Sequence, residues 1–95
     1  MFYVYILESC KNSNLYIGYT NDLRSRFTKH NGGLVKSTKP YMPWKIIYYE
    51  SCLDREDAMR REGYFKTSQG RIAFKRRLKE YFKKQKEGSS GEYAR

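Results

Sequence analysis

Glu62 carries the clearest sign of chemistry in this chain of 95 residues. The stretch from about Arg55 to Lys66 reads as a helix capped by Asp54, with Ala58, Met59 and Phe65 as its apolar stripe. Position 62 is i+4 from Ala58, i+3 from Met59 and i−3 from Phe65, so a carboxylate stands in the middle of the face turned toward the core. Burying a lone carboxylate costs on the order of several kcal/mol, so it needs a partner. Two readings follow: an ion pair with a neighbouring arginine, or a metal ligand in a cleft. Arg26 is a mirror case. The helix after Asn21-Asp22 buries Leu23 and Phe27, and Arg26 lies i+3 from Leu23 on the edge of that stripe. Its planar fork suits a phosphate held by two hydrogen bonds. The alternative is a surface arginine whose stem packs on Phe27.

Two short runs supply phenols. Tyr3, Tyr5 and Leu7 share one face of a strand, and Tyr16, Gly18 and Thr20 share one face of another. If residues 8 and 15 close a hairpin, Tyr5 lies opposite Gly18. A glycine inside a strand often marks a place where another group comes close, here an open notch beside two phenols. Core aromatics with a bulge would read the same way. His30 is the lone histidine, one turn beyond Arg26. It reads first as a satisfied or exposed side chain, with a supporting or proton-shuttling role behind that. No cluster has zinc-ligand spacing. Gly32-Gly33 lacks the lysine and hydroxyl residue of a phosphate-cradling loop.

The elements that must hold these residues follow from periodicity. Residues 2–8 alternate and are rich in β-formers, 9–14 carry turn residues, and 15–20 form a second strand. Asn21 or Asp22 caps a helix that ends at Asn31-Gly32-Gly33. The run 44–50, WKIIYYE, is nearly continuous in apolar residues and reads as a third strand, central or covered on both faces. Ser68 and Gly70 interrupt the chain after the next helix, and a last helix covers 71–84. The order β-β-α-β-α-α predicts an α+β fold, a three-stranded, mostly antiparallel sheet with flanking helices. Residues 1–84 read as one domain and 85–95 as a flexible tail.

Net charge is +10, and ten tyrosines, five phenylalanines and one tryptophan make up an aromatic share of 17%. Such a charge attracts polyanions, and nucleic acid is the commonest of them. Arg24, Lys36, Lys39, Lys45, Lys66, Arg71, Lys75 and Arg76 are the expected backbone grip, which would position a substrate without reading its sequence. Cys10 and Cys52 have no metal-like spacing and read as free thiols. No run is apolar enough to cross a membrane, and the expectation is a cytoplasmic, monomeric protein.

Taken together, the hairpin, its tyrosines and the following helix resemble the GIY-YIG nuclease superfamily. The first signature stands as Tyr3-Val4-Tyr5 and the second as Tyr16-Ile17-Gly18. The family's arginine, eight residues after that glycine, falls on Arg26. Its glutamate, on the helix after the third strand, falls on Glu62 in AMRREGYFK. The stretches HNGG, TKPYMPWKIIYYE and YFKTSQGR look like a small stand-alone branch, related to the nuclease domain of a bacterial excision-repair subunit. The resemblance covers about residues 2–80. Tyr3 replaces the first glycine, and no asparagine follows Asn31, where larger members carry one after the glutamate.

That resemblance implies phosphodiester hydrolysis in nucleic acid, DNA before RNA, with weak sequence selectivity. It implies one Mg²⁺ or Mn²⁺ on Glu62, with Arg26 on a non-bridging oxygen and Tyr16 orienting or deprotonating the attacking water. Tyr5 would complete the site, with His30 and Arg24 as second-rank candidates. The competing expectation is a nucleic-acid-binding module that does not cleave, and a third is a domain binding an acidic protein.

Overall fold

In a computed structural model describing residues 1–88, two strands open the chain. They are β1 (Phe2–Ser9) and β2 (Leu15–Thr20), paired antiparallel with Glu8 opposite Leu15 and Tyr5 opposite Gly18. The turn between them is built by Ser9, whose buried hydroxyl accepts the amides of Lys11 and Asn12 at 3.0 and 3.2 Å. Helix α1 (Leu23–Asn31) follows. Asp22 caps it, its carboxylate accepting the Ser25 amide at 3.1 Å. The chain then passes a 3₁₀ turn at Lys39–Tyr41 and enters β3 (Trp44–Cys52), antiparallel to β1.

Strand order is β2-β1-β3, so β1 is central and β3 lies at an edge. The sequence pointed to β3 as the covered strand. In fact Val4 through Ser9 of β1 are buried without a break, while no residue of β3 beyond Trp44 is fully buried. The apolar run in β3 misleads because Tyr48 and Tyr49 are amphipathic: their rings can rest on a sheet with one side wet. Tyr49 is 56% exposed.

Residues 1–63 form one compact unit, and the chain from Tyr64 forms a second. In the first, Tyr5, Leu7 and Trp44 make a buried cluster with Leu23, Phe27 and Ile46 packed against it. These come from β1, β3 and α1, as the two periodicities required. Helix α2 (Arg55–Phe65) begins at Asp54, whose carboxylate accepts the Glu56 amide at 3.4 Å.

In the second unit, Thr67 caps α3 (Ser68–Arg77) through the Gly70 amide, and α4 (Lys79–Gly88) follows a break at Leu78. Gly70 therefore sits inside the first turn of a helix instead of interrupting the chain. A β-carbon there would strike the Tyr64 carbonyl. Phe65 and Phe74 pack edge to face at 5.4 Å. The expected single helix over 71–84 is two helices, and α4 continues through 85–88, where a tail was expected. Residues 89–95 of that expected tail lie outside the described residues.

The hairpin register explains Gly18. A β-carbon there would lie 2.5 Å from the Tyr5 hydroxyl and 2.6 Å from its Cζ. The Tyr5 ring occupies the space that a side chain would need. Gly18→Ala is expected to cost about 1–3 kcal/mol in a denaturant titration, as overpacking does. Tyr5→Phe should not rescue it, since Cζ still collides. An alanine variant as stable as the parent would show that the ring has room to move.

Candidate functional site

Tyr5 comes from the middle of the central strand and is 1% exposed. Burial pushes its phenol up to about 12, although the Arg26 guanidinium pulls the other way. Tyr16 and Glu62 also raise it, which places both within electrostatic reach. At neutral pH Tyr5 is a neutral hydrogen-bonding group and not a base. Arg26 has its pKa raised, first by hydrogen bonding toward Tyr5, with smaller contributions from Tyr16.

His30 is fully buried, and both ring nitrogens are satisfied. Nε2 meets the Tyr5 hydroxyl at 2.9 Å, and Nδ1 meets the Thr38 hydroxyl at 2.8 Å. Thr38 donates its only hydroxyl hydrogen to the Val35 carbonyl at 3.3 Å, so toward His30 it accepts. Nδ1 therefore carries the ring hydrogen, and Tyr5 donates to Nε2. Burial first, then the charge of Arg26, lowers His30 to about 4.

Thr38 is itself held. Its carbonyl accepts the Trp44 indole N–H at 2.9 Å. Asn31 pairs its carboxamide with both backbone groups of Trp44, accepting at 2.6 Å and donating at 2.9 Å. The chain Tyr5–His30–Thr38–Trp44–Asn31 thus ties the sheet to the C-terminal end of α1 and to the loop after it.

Tyr16 is half-buried. Its ring meets His30 edge-on at 4.9 Å and lies 6.3 Å from both Tyr5 and Trp44. Glu62 is also half-buried. Of the two arginines before it on the helix, Arg61 grips Glu50 of β3 at 2.7 Å, and Arg60 reaches Asp57 at 3.0 Å. The Arg61–Glu50 pair, reinforced by the Tyr48 hydroxyl at 2.8 Å, sets the rotation of α2 one residue before Glu62.

Tyr5, Tyr16, Arg26 and His30 therefore meet on one side of the hairpin, with Gly18 against the Tyr5 ring and Glu62 within electrostatic reach of Tyr5. Among the described residues no three His, Cys, Asp or Glu side chains form a metal cluster. One carboxylate beside phenol oxygens does not suit zinc. It fits a hard, hydrated dication such as Mg²⁺, which keeps several waters.

The expected grip residues Arg24, Lys36, Lys39 and Lys45 are exposed on the first unit. Lys66, Arg71, Lys75 and Arg76 are exposed on the second. Lys45 is partly engaged, 3.8 Å from the buried Glu8 opposite it on β1. Cys10 and Cys52 are free thiols, and no helix of the described residues is long and apolar enough to cross a membrane. Sequence reading missed Thr38, Trp44 and Asn31 as supports. Asn31 read only as a helix terminator, and nothing in the spacing of Thr38 marks it.

A hairpin carrying two opposed tyrosine motifs, a helix arginine and a helix glutamate defines a class. A model of the GIY-YIG catalytic domain matches residues 1–75, and the chain belongs to that family, whose members are generally endonucleases. Its relatives there are small UPF0213 proteins. One from Streptococcus pneumoniae is 43% identical over 65 residues, which is 67% of this chain and 65% of that protein. Another from Streptococcus agalactiae is 39% identical over 75 residues, 76% and 84% of the two chains. The chain thus spans just under two thirds of the pneumococcal relative. The solution NMR structure of the UPF0213 protein BH0048 from Bacillus halodurans is 35% identical. It covers 78% of this chain and 82% of that one, with a TM-score of 0.48.

His30 is the only histidine, so stability between pH 6.5 and 5 reports on it. In the unfolded chain it takes a proton near 6.5, and in the folded protein only near 4. Stability is then at its full value above pH 6.5 and falls as pH drops through this window. The expected loss is about 2 kcal/mol by pH 5. His30→Gln should start lower at pH 7 and stay flat over the same range. A parent curve as flat as the variant's would show that His30 is protonated in the folded state.

Proposed function

We propose that this protein hydrolyses phosphodiester bonds in nucleic acid, DNA in the first instance, assisted by one Mg²⁺ or Mn²⁺ at Glu62. The observation that supports this best is the meeting of two phenols and a guanidinium, with a carboxylate within electrostatic reach of Tyr5, on a chain of charge +10. Phosphodiester hydrolysis needs an oriented water, a clamp on the phosphate and relief for the leaving oxygen. Arg26 would hold a non-bridging oxygen and offset charge that develops on it. Bound at Glu62, a hydrated dication would supply neutralisation at the leaving 3′ oxygen.

The two phenols take different parts. Tyr5 is buried, protonated and committed to His30, so it supports the site without meeting the water. Tyr16 is the phenol with an open side, and it orients the attacking water by a hydrogen bond beside the Arg26 charge. His30, neutral and fixed in one tautomer, keeps the Tyr5 hydroxyl aimed. The exposed lysines and arginines contact phosphates, which gives little sequence selectivity and steep salt dependence.

A single carboxylate as the metal donor also suits a domain that binds nucleic acid without cutting it. Nicking of supercoiled DNA separates the two readings. The parent should nick with Mg²⁺ or Mn²⁺ and not with EDTA. Glu62→Gln should abolish the metal-dependent nicking, and Arg26→Ala should slow turnover by about 10²–10³-fold, as loss of one oxyanion donor does. Each variant is checked by circular dichroism. Equal nicking by Glu62→Gln and the parent would remove Glu62 from the chemistry. Tight binding with no nicking across labelled DNA and RNA shapes would leave the binding module.

A further inference from the structure

Arg24 and Arg26 are two residues apart and so face opposite flanks of α1. Arg26 turns to Tyr5 and Tyr16. Arg24 lines a separate cavity of about 510 Å³ on the same sheet face, over β3. That volume lies in the range of small-ligand sites. Its rings are Tyr3, Phe27 and Tyr49, and its polar rim is Asn21, Asp22 and Arg24. Tyr3 and Tyr49 are not stacked on each other: their planes are tilted at 57° with centroids 6.3 Å apart. Among the described residues, the Asn21 amide, the Arg24 guanidinium and the hydroxyls of Tyr3 and Tyr49 make no hydrogen bond or ion pair. Four polar groups without protein partners thus ring an aromatic hollow that the hydrolytic cluster does not use.

We propose that this hollow takes one unpaired nucleobase, so that the substrate carries a single-stranded segment next to the scissile phosphate. This rests on the nucleic-acid reading above and narrows it. A base is apolar on its faces and polar along its edge. Rings answer the faces. Asn21 answers the edge, and so does the Asp22 carboxylate oxygen left over from capping α1. Arg24, the cation of the rim, answers the adjoining phosphate. A base inside a duplex presents no free face and cannot enter. Tyr49 is the cross-strand partner of Tyr5, and such partners stand about 5 Å apart. Neighbouring nucleotides of one strand can therefore reach the hollow and the cluster together.

The test uses the full chain in EDTA, so binding is read without cleavage. The probe is a single-stranded DNA oligonucleotide carrying 2-aminopurine, compared with its blunt duplex. Stacking should quench the free strand and leave the duplex unchanged. Tyr49→Ala should weaken single-strand binding about tenfold, within the range of one stacked base, with duplex affinity unchanged, and Tyr49→Phe should restore it. Arg24→Gln should lower the salt slope for the single strand by about one. Absence of quenching, or equal loss on strand and duplex in Tyr49→Ala, overturns the proposal. Free dAMP binding as tightly as the oligonucleotide overturns the strand assignment. A chain that cleaves nothing can still pass this test, and one that nicks DNA can still fail it.

Discussion

Tyr5 lies across the hairpin because residue 18 has no side chain, and everything in the candidate site is measured from that ring. Its hydroxyl is the meeting point of α1, through Arg26, and of the α1 terminus, through His30. A larger residue at 18 would displace the ring and with it the point where both helix residues converge. The glycine is thus a steric requirement of the site, made legible by register: once Glu8 faces Leu15, Tyr5 must face Gly18.

The second constraint is electrostatic. The floor of the site, Tyr5 and His30, is dry and uncharged at neutral pH, because burial opposes ionisation of the one and protonation of the other. Charge is carried by Arg26 and Glu62, both half-buried and so open in part to solvent. A guanidinium over this floor meets a neutral phenol and a neutral imidazole. In the proposed reaction that leaves Arg26 for the substrate.

Much of this could be read before any coordinates. β-Forming residues on either side of the turn residues 9–14 marked β1 and β2, and the Asp22 cap and Leu23–Phe27 spacing marked α1. Glu62 stood out because a carboxylate on an apolar stripe has to be explained. Other parts were hidden for physical reasons. The Thr38 hydroxyl gains its role from a loop fold that brings it under His30, eight residues away, and no periodicity encodes that. Tyr48 and Tyr49 count as apolar in a sequence pattern, yet they rest half wet on an edge strand. Gly70 looks like a breaker, yet it is there because α3 starts where the Tyr64 carbonyl already stands. The break at Leu78 has no sequence mark at all.

Asn31 lends its amide to Trp44 as a neighbouring strand would, with one donor and one acceptor in register. The helix end and the strand start are therefore buckled together, and the segment between them is a closed ring with fixed feet. Within that ring Trp44 pins the Thr38 carbonyl and Val35 holds the Thr38 hydroxyl and amide, so what is left to vary is the exposed side chains of Lys36 and Ser37. The identity of those two residues can drift without moving His30. Such a tether lets the outer face of a loop be rewritten by evolution while the chemistry beneath it stays in place.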